Sequence, residues 1–411
     1  MAYRRGGGLL LAMLAIAALS AGEPASADAP PGGTVVGWGF DLYGEADVPA
    51  DLSHVIAVAA GRWHSLALRD DGTVVAWGSD QAGATRVPPG LSHVRAIAAG
   101  GDFSLALLDD GTVTGWGLDD LGQTDVPEGL SGVVAVSAGY AHALALKDDG
   151  TVVGWGWDAS GQTDVPSGLK NVTAVAAGGR HSLALKANGT VIAWGDDSVG
   201  ESEVPATLPK VSAISAGDSF SLALKEDGRV RAWGSNFYSQ RDHPPHLTGI
   251  AAIDAGWAYS LALRHDGTVV AWGYGRFGEL AIPRSLSHVT AISAGGHSLA
   301  VVDGGEQACT IVGSPLTDTL YGTSADDRMC GRLGSDVLRG LAGDDTLFGN
   351  RGADRLIGAP GVDRLSGGKG ADLLQGDDGT PGDRLDGGAG EDRCVIDEGD
   401  RTRHCEHVLV R

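Results

Sequence analysis

The chain has 411 residues, room for two or three domains, and its 66 glycines and 6% aromatics suit a β architecture with many tight turns. A formal net charge of −22 excludes nucleic acid as a partner, because a polyanion binding another polyanion gains nothing from counterion release. No apolar run beyond residue 27 approaches the ~20 residues of a membrane span, and no basic amphipathic segment is present to hold the chain on an anionic bilayer.

Residues 1–27 read as a signal peptide: Arg4 and Arg5 are followed by an apolar stretch from Leu9 to Leu19 and a small-residue cleavage pattern, Ala25-Ser26-Ala27. The mature protein is therefore expected to be secreted. A retained N-terminal anchor or a twin-arginine export signal are the rival readings of the same residues. The acidic balance then divides unevenly, net −16 from Asp28 to Ala308 and net −7 from Cys309 onward.

Two ladders with a period of 39 follow. Trp-Gly recurs at Trp38, Trp77, Trp116, Trp155, Trp194, Trp233 and Trp272, and Ala-Gly at Gly61, Gly100, Gly139, Gly178, Gly217, Gly256 and Gly295. Each unit reads as four short strands, in the third unit VVAVSAG, HALAL, TVVGWG and QTDVP. Asp-Gly or Asn-Gly between the second and third strands accepts the positive φ of a tight hairpin. Four-stranded units at this spacing indicate a propeller. The chain enters at Thr34 on a third strand and leaves near Val302 on a second, so the ends combine into one blade and make seven, expected over residues 34–305.

The repeat AGxxHSLALxxDGxVxAWG resembles the RCC1-type propeller. Comparison between repeats separates framework from function. The position of His64 holds Phe103, His142, His181, Phe220, Tyr259 and His297 elsewhere, so it calls for a flat packing ring rather than a ligand or catalyst. Antiparallel connection puts the Ala-Gly-x-x loops and the loops after Trp-Gly on one face. Ten aromatics outside the framework lie there: Trp63, Tyr140 and Trp257 in the first set, and Phe40, Tyr43, Trp157, Phe237, Tyr238, Tyr274 and Phe277 in the second. Rings grouped on one face point to protein binding, with capping of the blade tops or plugging of the channel as the alternative.

The short WGxxxxGQTxVP blades, as in Trp116 to Pro127, are also similar to the secreted β-lactamase-inhibitory propeller of streptomycetes. Carried over by position, that resemblance implies contacts from Tyr43, Arg62, Trp63, Tyr140, Trp157, Arg180, Phe237, Tyr238, Trp257 and Phe277. The Asp-Gly turns here are one residue longer, and a second domain follows. Nucleotide exchange, which the RCC1 resemblance would imply for a nuclear relative, conflicts with the signal peptide and the acidic charge, and fold alone does not carry function.

After Cys309 the period drops to nine. Glycines open units from Gly313 to Gly387, with aspartates at the sixth position and an apolar residue two further on. This resembles the RTX calcium-binding repeat and implies a parallel β-roll over 313–395, with 396–411 as a tail and calcium on Asp318, Asp327, Asp336, Asp345, Asp354, Asp363, Asp372 and Asp383. Six residues of turn and three of strand place alternate aspartates in two rows, with coils about 4.8 Å apart. Unit charges at that spacing repel by about 0.9 kcal/mol even at the dielectric of water. Calcium, which takes all-oxygen ligands in flexible geometry, would reverse that sign and couple folding to metal; magnesium fits less well. Glycine is replaced at the fourth position by Leu316 and Ala325, so calcium is expected chiefly from Gly331 to Gln375.

All four cysteines lie in this last quarter. The pairs closest in sequence, Cys309–Cys330 and Cys394–Cys405, bracket the ends of the roll and are favoured over the other connectivities, and over zinc.

No nucleophile elbow, P-loop or HExxH motif occurs, and an enzyme is not expected; isolated top-face acids such as Asp102 and Asp218 are the fallback. The expectation is therefore an all-β, monomeric secreted protein, a seven-bladed β-propeller followed by a parallel β-roll. Its propeller binds a protein, with an envelope structural or surface-attachment role as the alternative.

Overall fold

The computed structural model describes residues 33–245, 247–284, 286–302, 309, 311–314 and 316–411, which divide after Val302 into two compact units. The expected signal peptide over 1–27 lies outside the described residues. Every regular element among them is a β-strand, and no helix is long and apolar enough to cross a membrane.

The first unit contains seven antiparallel three-stranded sheets. Each is built on a central strand such as His142–Lys147, HALALK, in which only the last residue is partly exposed. A strand covered on both faces carries a continuous apolar run rather than an alternation. Val133–Ala138 and Val152–Gly156 flank it, with Val136 opposite Ala145 and Trp155 opposite Ala143. Gly150 turns the hairpin at φ +75°. The Asp149 carboxylate locks it by accepting the Thr151 N–H at 2.9 Å and hydroxyl at 2.5 Å.

The expected fourth strand is absent: QTDVP and its equivalents form no ladder. In the segment before the third blade's partner, Thr124 N–H donates to Asp119 Oδ1, Asp125 N–H to the Gly122 carbonyl and Val126 N–H to the Thr124 carbonyl. Pro127 has no N–H to offer. With its donors satisfied locally, the segment crosses the blade edge as irregular chain.

The ends meet as expected. Thr34–Gly39 pairs antiparallel with His297–Val302, Trp38 facing Ser298, so the seventh blade is assembled from both ends and leaves no strand searching for a partner. Hydrophobic clusters sit between adjacent blades; one joins Leu144 and Leu146 to Val175, Ala184 and Trp194.

The second unit is a solenoid of two six-stranded parallel sheets. Residues eighteen apart stand in register, Leu338 beside Leu356 and Leu347 beside Leu365. Met329, Leu338, Leu347, Leu356, Leu365, Leu374, Leu385 and Cys394 form its buried spine. The segment 396–411, expected as a tail, instead supplies the last strand of each sheet, Arg401–Arg403 beside Arg384–Ala389 and His407–Val410 beside Arg393–Ile396. Parallel pairing tolerated the loss of the nine-residue spacing there, because hydrogen bonding needs only in-register backbone. Cys309–Cys330 and Cys394–Cys405 are the disulfides.

Candidate functional sites

The geometry that gathers loops at one end of the propeller is visible in its backbone hydrogen bonds. Ser79 N–H donates to the Trp63 carbonyl at 2.8 Å, Leu118 to Asp102 at 2.9 Å and Trp157 to Ala141 at 2.9 Å, joining each post-Trp-Gly loop to its Ala-Gly-x-x neighbour. The Asp-Gly turns occupy the opposite end, where Asp70 N–H reaches the His54 carbonyl and Val94 N–H the Gly72 carbonyl.

Eight of the ten non-framework aromatics form one connected chain of rings. It runs from Tyr43 to Trp63 (5.8 Å between centroids), Phe40 (5.1 Å), Phe277 (5.1 Å) and Tyr274 (6.0 Å). From Tyr274 it branches to Trp257 (6.5 Å) and to Tyr238 (4.9 Å), then Phe237 (5.0 Å). Edge-to-face contacts of this kind stiffen a surface at low entropic cost. Phe40, Trp63 and Tyr274 are half-buried supports, whereas Tyr43, Tyr238, Trp257 and Phe277 are exposed and Phe237 stands 84% exposed. Tyr140 and Trp157 lie outside the chain and carry arginines instead. Arg62 stacks over Tyr140 at 5.3 Å and donates to its hydroxyl at 3.0 Å; Arg180 covers Trp157 at 5.0 Å.

Arg62, Tyr140, Arg180, Asp218 and Trp257 also rim an axial cavity of about 500 Å³, lined by Ala-Gly from all seven blades. Burial raises the Asp102 and Asp218 carboxyls above their ordinary values, opposed at Asp102 by Arg62 and at Asp218 by Ser219, Arg180 and Arg62. Ser219 donates its hydroxyl proton to Asp218 Oδ2 at 3.1 Å.

The His64-type rings are inter-blade bolts. His64, His142 and His181 Nε2 contact Ser104, Ser182 and Ser221 Oγ of the next blade at 2.9, 3.0 and 2.9 Å, and the Tyr259 hydroxyl contacts Ser298 Oγ at 2.8 Å. A second framework position escaped the sequence reading: Glu45, Ala84, Gln123, Gln162, Glu201, Gln240 and Glu279, seven residues after each Trp-Gly tryptophan. The Gln162 carbonyl accepts both Trp194 Nε1–H at 2.9 Å and Ser182 Oγ–H at 2.8 Å, and its Oε1 accepts the Ser160 N–H. Glu45 and Glu201 do the same with carboxylates whose pKa burial raises. The restriction to Glu, Gln or Ala at intervals of 39 was the available signal.

In the solenoid the aspartates stack in two rows. One oxygen of each is taken: Asp318 N–H donates to Asp336 Oδ1, Asp327 to Asp345, Asp336 to Asp354, Asp345 to Asp363, Asp354 to Asp372, Asp363 to Asp383 and Asp372 to Asp392, all at 2.7–2.8 Å. The other oxygen, Oδ2, is buried without a partner in Asp336, Asp345, Asp354, Asp363, Asp372, Asp383 and Asp392. Asp392, left out of the expected ligands, thus shares the arrangement. The first-position glycines make room for it; a Cβ on Gly331 or Gly349 would stand 2.5 Å from the Oδ2 of Asp336 or Asp354.

Burial, reinforced by the carboxylate one coil away, pushes Asp354 up to about 6 and Asp363, Asp372 and Asp383 to about 7. Orphaned anionic oxygens in files fit a hard cation. Among the described residues no three His, Cys, Asp or Glu side chains converge on one point, so such a cation would draw on backbone carbonyls as well.

These two architectures define a repeat protein of two kinds. The pattern described as "Regulator of chromosome condensation (RCC1) repeat" matches residues 55–84, 94–123, 133–162, 172–201, 211–240 and 250–279. The "RTX calcium-binding nonapeptide repeat (4 copies)" matches 310–338, 330–365 and 357–394. The chain carries six RCC1 repeats, with the seventh blade split between its ends, followed by RTX calcium-binding repeats.

Among solved structures, Prp20p from Saccharomyces cerevisiae is similar at 18% identity and a TM-score of 0.56, over 68% of this chain and 92% of that one; the report on it concerns its binding to Gsp1p and histones. Human WBSCR16 is similar at 20% identity and 0.55, over 66% and 100%. The ectodomain of the Physcomitrella patens receptor kinase CR4 is similar at 24% and 0.50, over 60% and 70%. These likenesses concern the fold. No curated protein sequence matches the chain.

Proposed function

We propose that this is an exported calcium-binding protein whose propeller captures a protein partner on its aromatic face, without catalysing a reaction. The observation that carries the reading is the chain of eight rings beside an axial mouth rimmed by Arg62, Arg180 and Asp218. Connected rings offer desolvatable area already held in place, and the mixed charges beside them supply orientation. Tyr43, Arg62, Trp63, Tyr140, Trp157, Arg180, Phe237, Tyr238, Trp257 and Phe277 are the contacts. A secreted β-lactamase is one candidate partner. Two disulfides and an oxidising compartment agree with export.

Calcium is held by the Oδ2 atoms of Asp336, Asp345, Asp354, Asp363, Asp372 and Asp383, with Asp392 added, and supplies positive charge between otherwise repelling coils. The test is capture of exported proteins by the full chain against a Phe237→Ala, Trp257→Ala, Phe277→Ala variant. A partner lost with unchanged thermal stability supports binding; lost stability with an unchanged partner set makes the rings packing elements.

A second reading, attachment to an anionic surface through the roll, has one observation in its favour. Arg364, Arg384 and Arg401 stand in register as an exposed column on one sheet. Retention of the chain on a phosphate-bearing surface, abolished by replacing these three with Gln, would favour it.

A further inference from the structure

The first two units of the roll treat their carboxylates differently from the rest. Asp318 Oδ2 accepts the Ser314 N–H at 2.6 Å and the Ser314 hydroxyl at 2.8 Å; Asp327 Oδ2 accepts the Thr323 N–H at 2.5 Å and the Thr323 hydroxyl at 2.8 Å. Each hydroxyl also accepts a backbone N–H two residues on, from Leu316 and Ala325, both at 3.2 Å. Positions two, four and six of the unit are thereby closed into one clasp. The seven later carboxylates have no such partner at Oδ2.

Backbone conformation separates the same two groups independently. The fourth residue of later units is glycine at positive φ, +112° at Gly334 and Gly343 and +135° at Gly352, a conformation that L side chains rarely adopt. Leu316 and Ala325 hold that place in the first two units, and Ala325 has no positive φ. The turn therefore presents its carbonyls differently as well as filling its carboxylate.

We propose that Ser314 and Thr323 stand in for the cation at Asp318 and Asp327, making the first two units a metal-free cap while calcium is taken up by the carboxylates from Asp336 to Asp392. A hydroxyl proton aimed at Oδ2 answers locally the need that calcium meets further along. Terminal repeats of a solenoid need a closed polar end of their own, and this one is also tied covalently by Cys309–Cys330, a bridge that spans both units. The assignment removes Asp318 and Asp327 from the expected ligand set. It rests on the calcium reading above.

The experiment counts calcium ions bound per full-length chain by equilibrium dialysis, with hydrogen exchange confirming a folded roll. Asp318→Asn with Asp327→Asn should leave both the count and the half-saturating concentration unmoved, whereas Asp354→Asn with Asp363→Asn should lose at least one ion. Ser314→Ala with Thr323→Ala removes only the hydroxyl donors, the backbone N–H of each residue staying on its Oδ2, and should loosen the first two units in hydrogen exchange at an unchanged count of bound ions. An equal loss from both Asn pairs would overturn the cap. A wild-type chain that binds no calcium would instead defeat the calcium reading itself, and no variant would then differ from it.

Discussion

His297 Nε2 stands 2.5 Å from Ser65 Oγ, and this contact bolts the last blade of the propeller to the first. Ser65 in turn donates its hydroxyl proton to the Glu45 carbonyl at 2.7 Å. The serine proton is therefore committed, and the imidazole must donate through Nε2–H. The same logic holds where Ser104, Ser182 and Ser221 donate to the carbonyls of Ala84, Gln162 and Glu201 while receiving His64, His142 and His181.

Replacement at this seam should depend on shape more than on polarity. Phe103 and Phe220 occupy the equivalent place in other blades, fully buried. His297→Phe is therefore expected to cost about 1 kcal/mol, the worth of one hydrogen bond. His297→Ala opens a cavity and should cost about 2–4 kcal/mol. Equilibrium denaturation followed by tryptophan emission distinguishes the two.

Acid should weaken the propeller in a defined window. Burial holds His64 and His181 down to about 4 and His142 and His297 to about 3, and the Nδ1 atoms of His142, His181 and His297 face no acceptor. The folded state thus keeps these rings neutral, while the unfolded chain protonates them near pH 6.5. Stability is complete above pH 6.5 and falls as pH drops toward the folded values, by roughly 1 kcal/mol per histidine per pH unit. Urea midpoints at pH 7.5 and 5 should differ, and His64→Phe with His181→Phe should shrink the difference.

Calcium removal should be visible in one spectroscopic channel and silent in another. All ten tryptophans lie between Trp38 and Trp272, and the roll has none. Each unit has its own hydrophobic core, inter-blade clusters in one and the leucine spine in the other. EDTA is expected to reduce the far-ultraviolet β signal while leaving tryptophan emission unchanged. Emission that shifts in parallel would show that the propeller itself needs the ion.

The exposed rings should matter little to stability. Phe237, 84% exposed and touching only Tyr238 among the aromatics, should change the unfolding free energy by less than about 0.5 kcal/mol when replaced by Ala. Trp63 bears Phe40, Tyr43 and Arg62, so Trp63→Ala should cost more, about 2 kcal/mol. Reversed values would mean that the outer ring carries the arc.

The amino-acid sequence by itself determined what depends on periodicity. Intervals of 39 and nine residues dictate which backbone meets which, so the seven blades, the split closing blade and the parallel coils were legible in the sequence, while the disulfide pairing was favoured on nearness in sequence alone. Loops such as Trp63 and Trp157 fall on one face by strand direction alone. Where the period faltered, so did the reading. QTDVP looks like a strand until Asp119 and Pro127 are seen to deny it donors, and residues 396–411 look like a tail because their one glycine, Gly399, no longer marks a nine-residue repeat. Only the tertiary structure decided which rings touch, which carboxylate oxygens are left without a proton donor, and that Ser314 and Thr323 satisfy two of them. Those outcomes turn on distances of a few tenths of an ångström between side chains and their neighbours, within one repeat at Ser314 and Thr323 and between repeats elsewhere, and a pattern of residue types specifies neighbours without specifying hydrogen-bond partners.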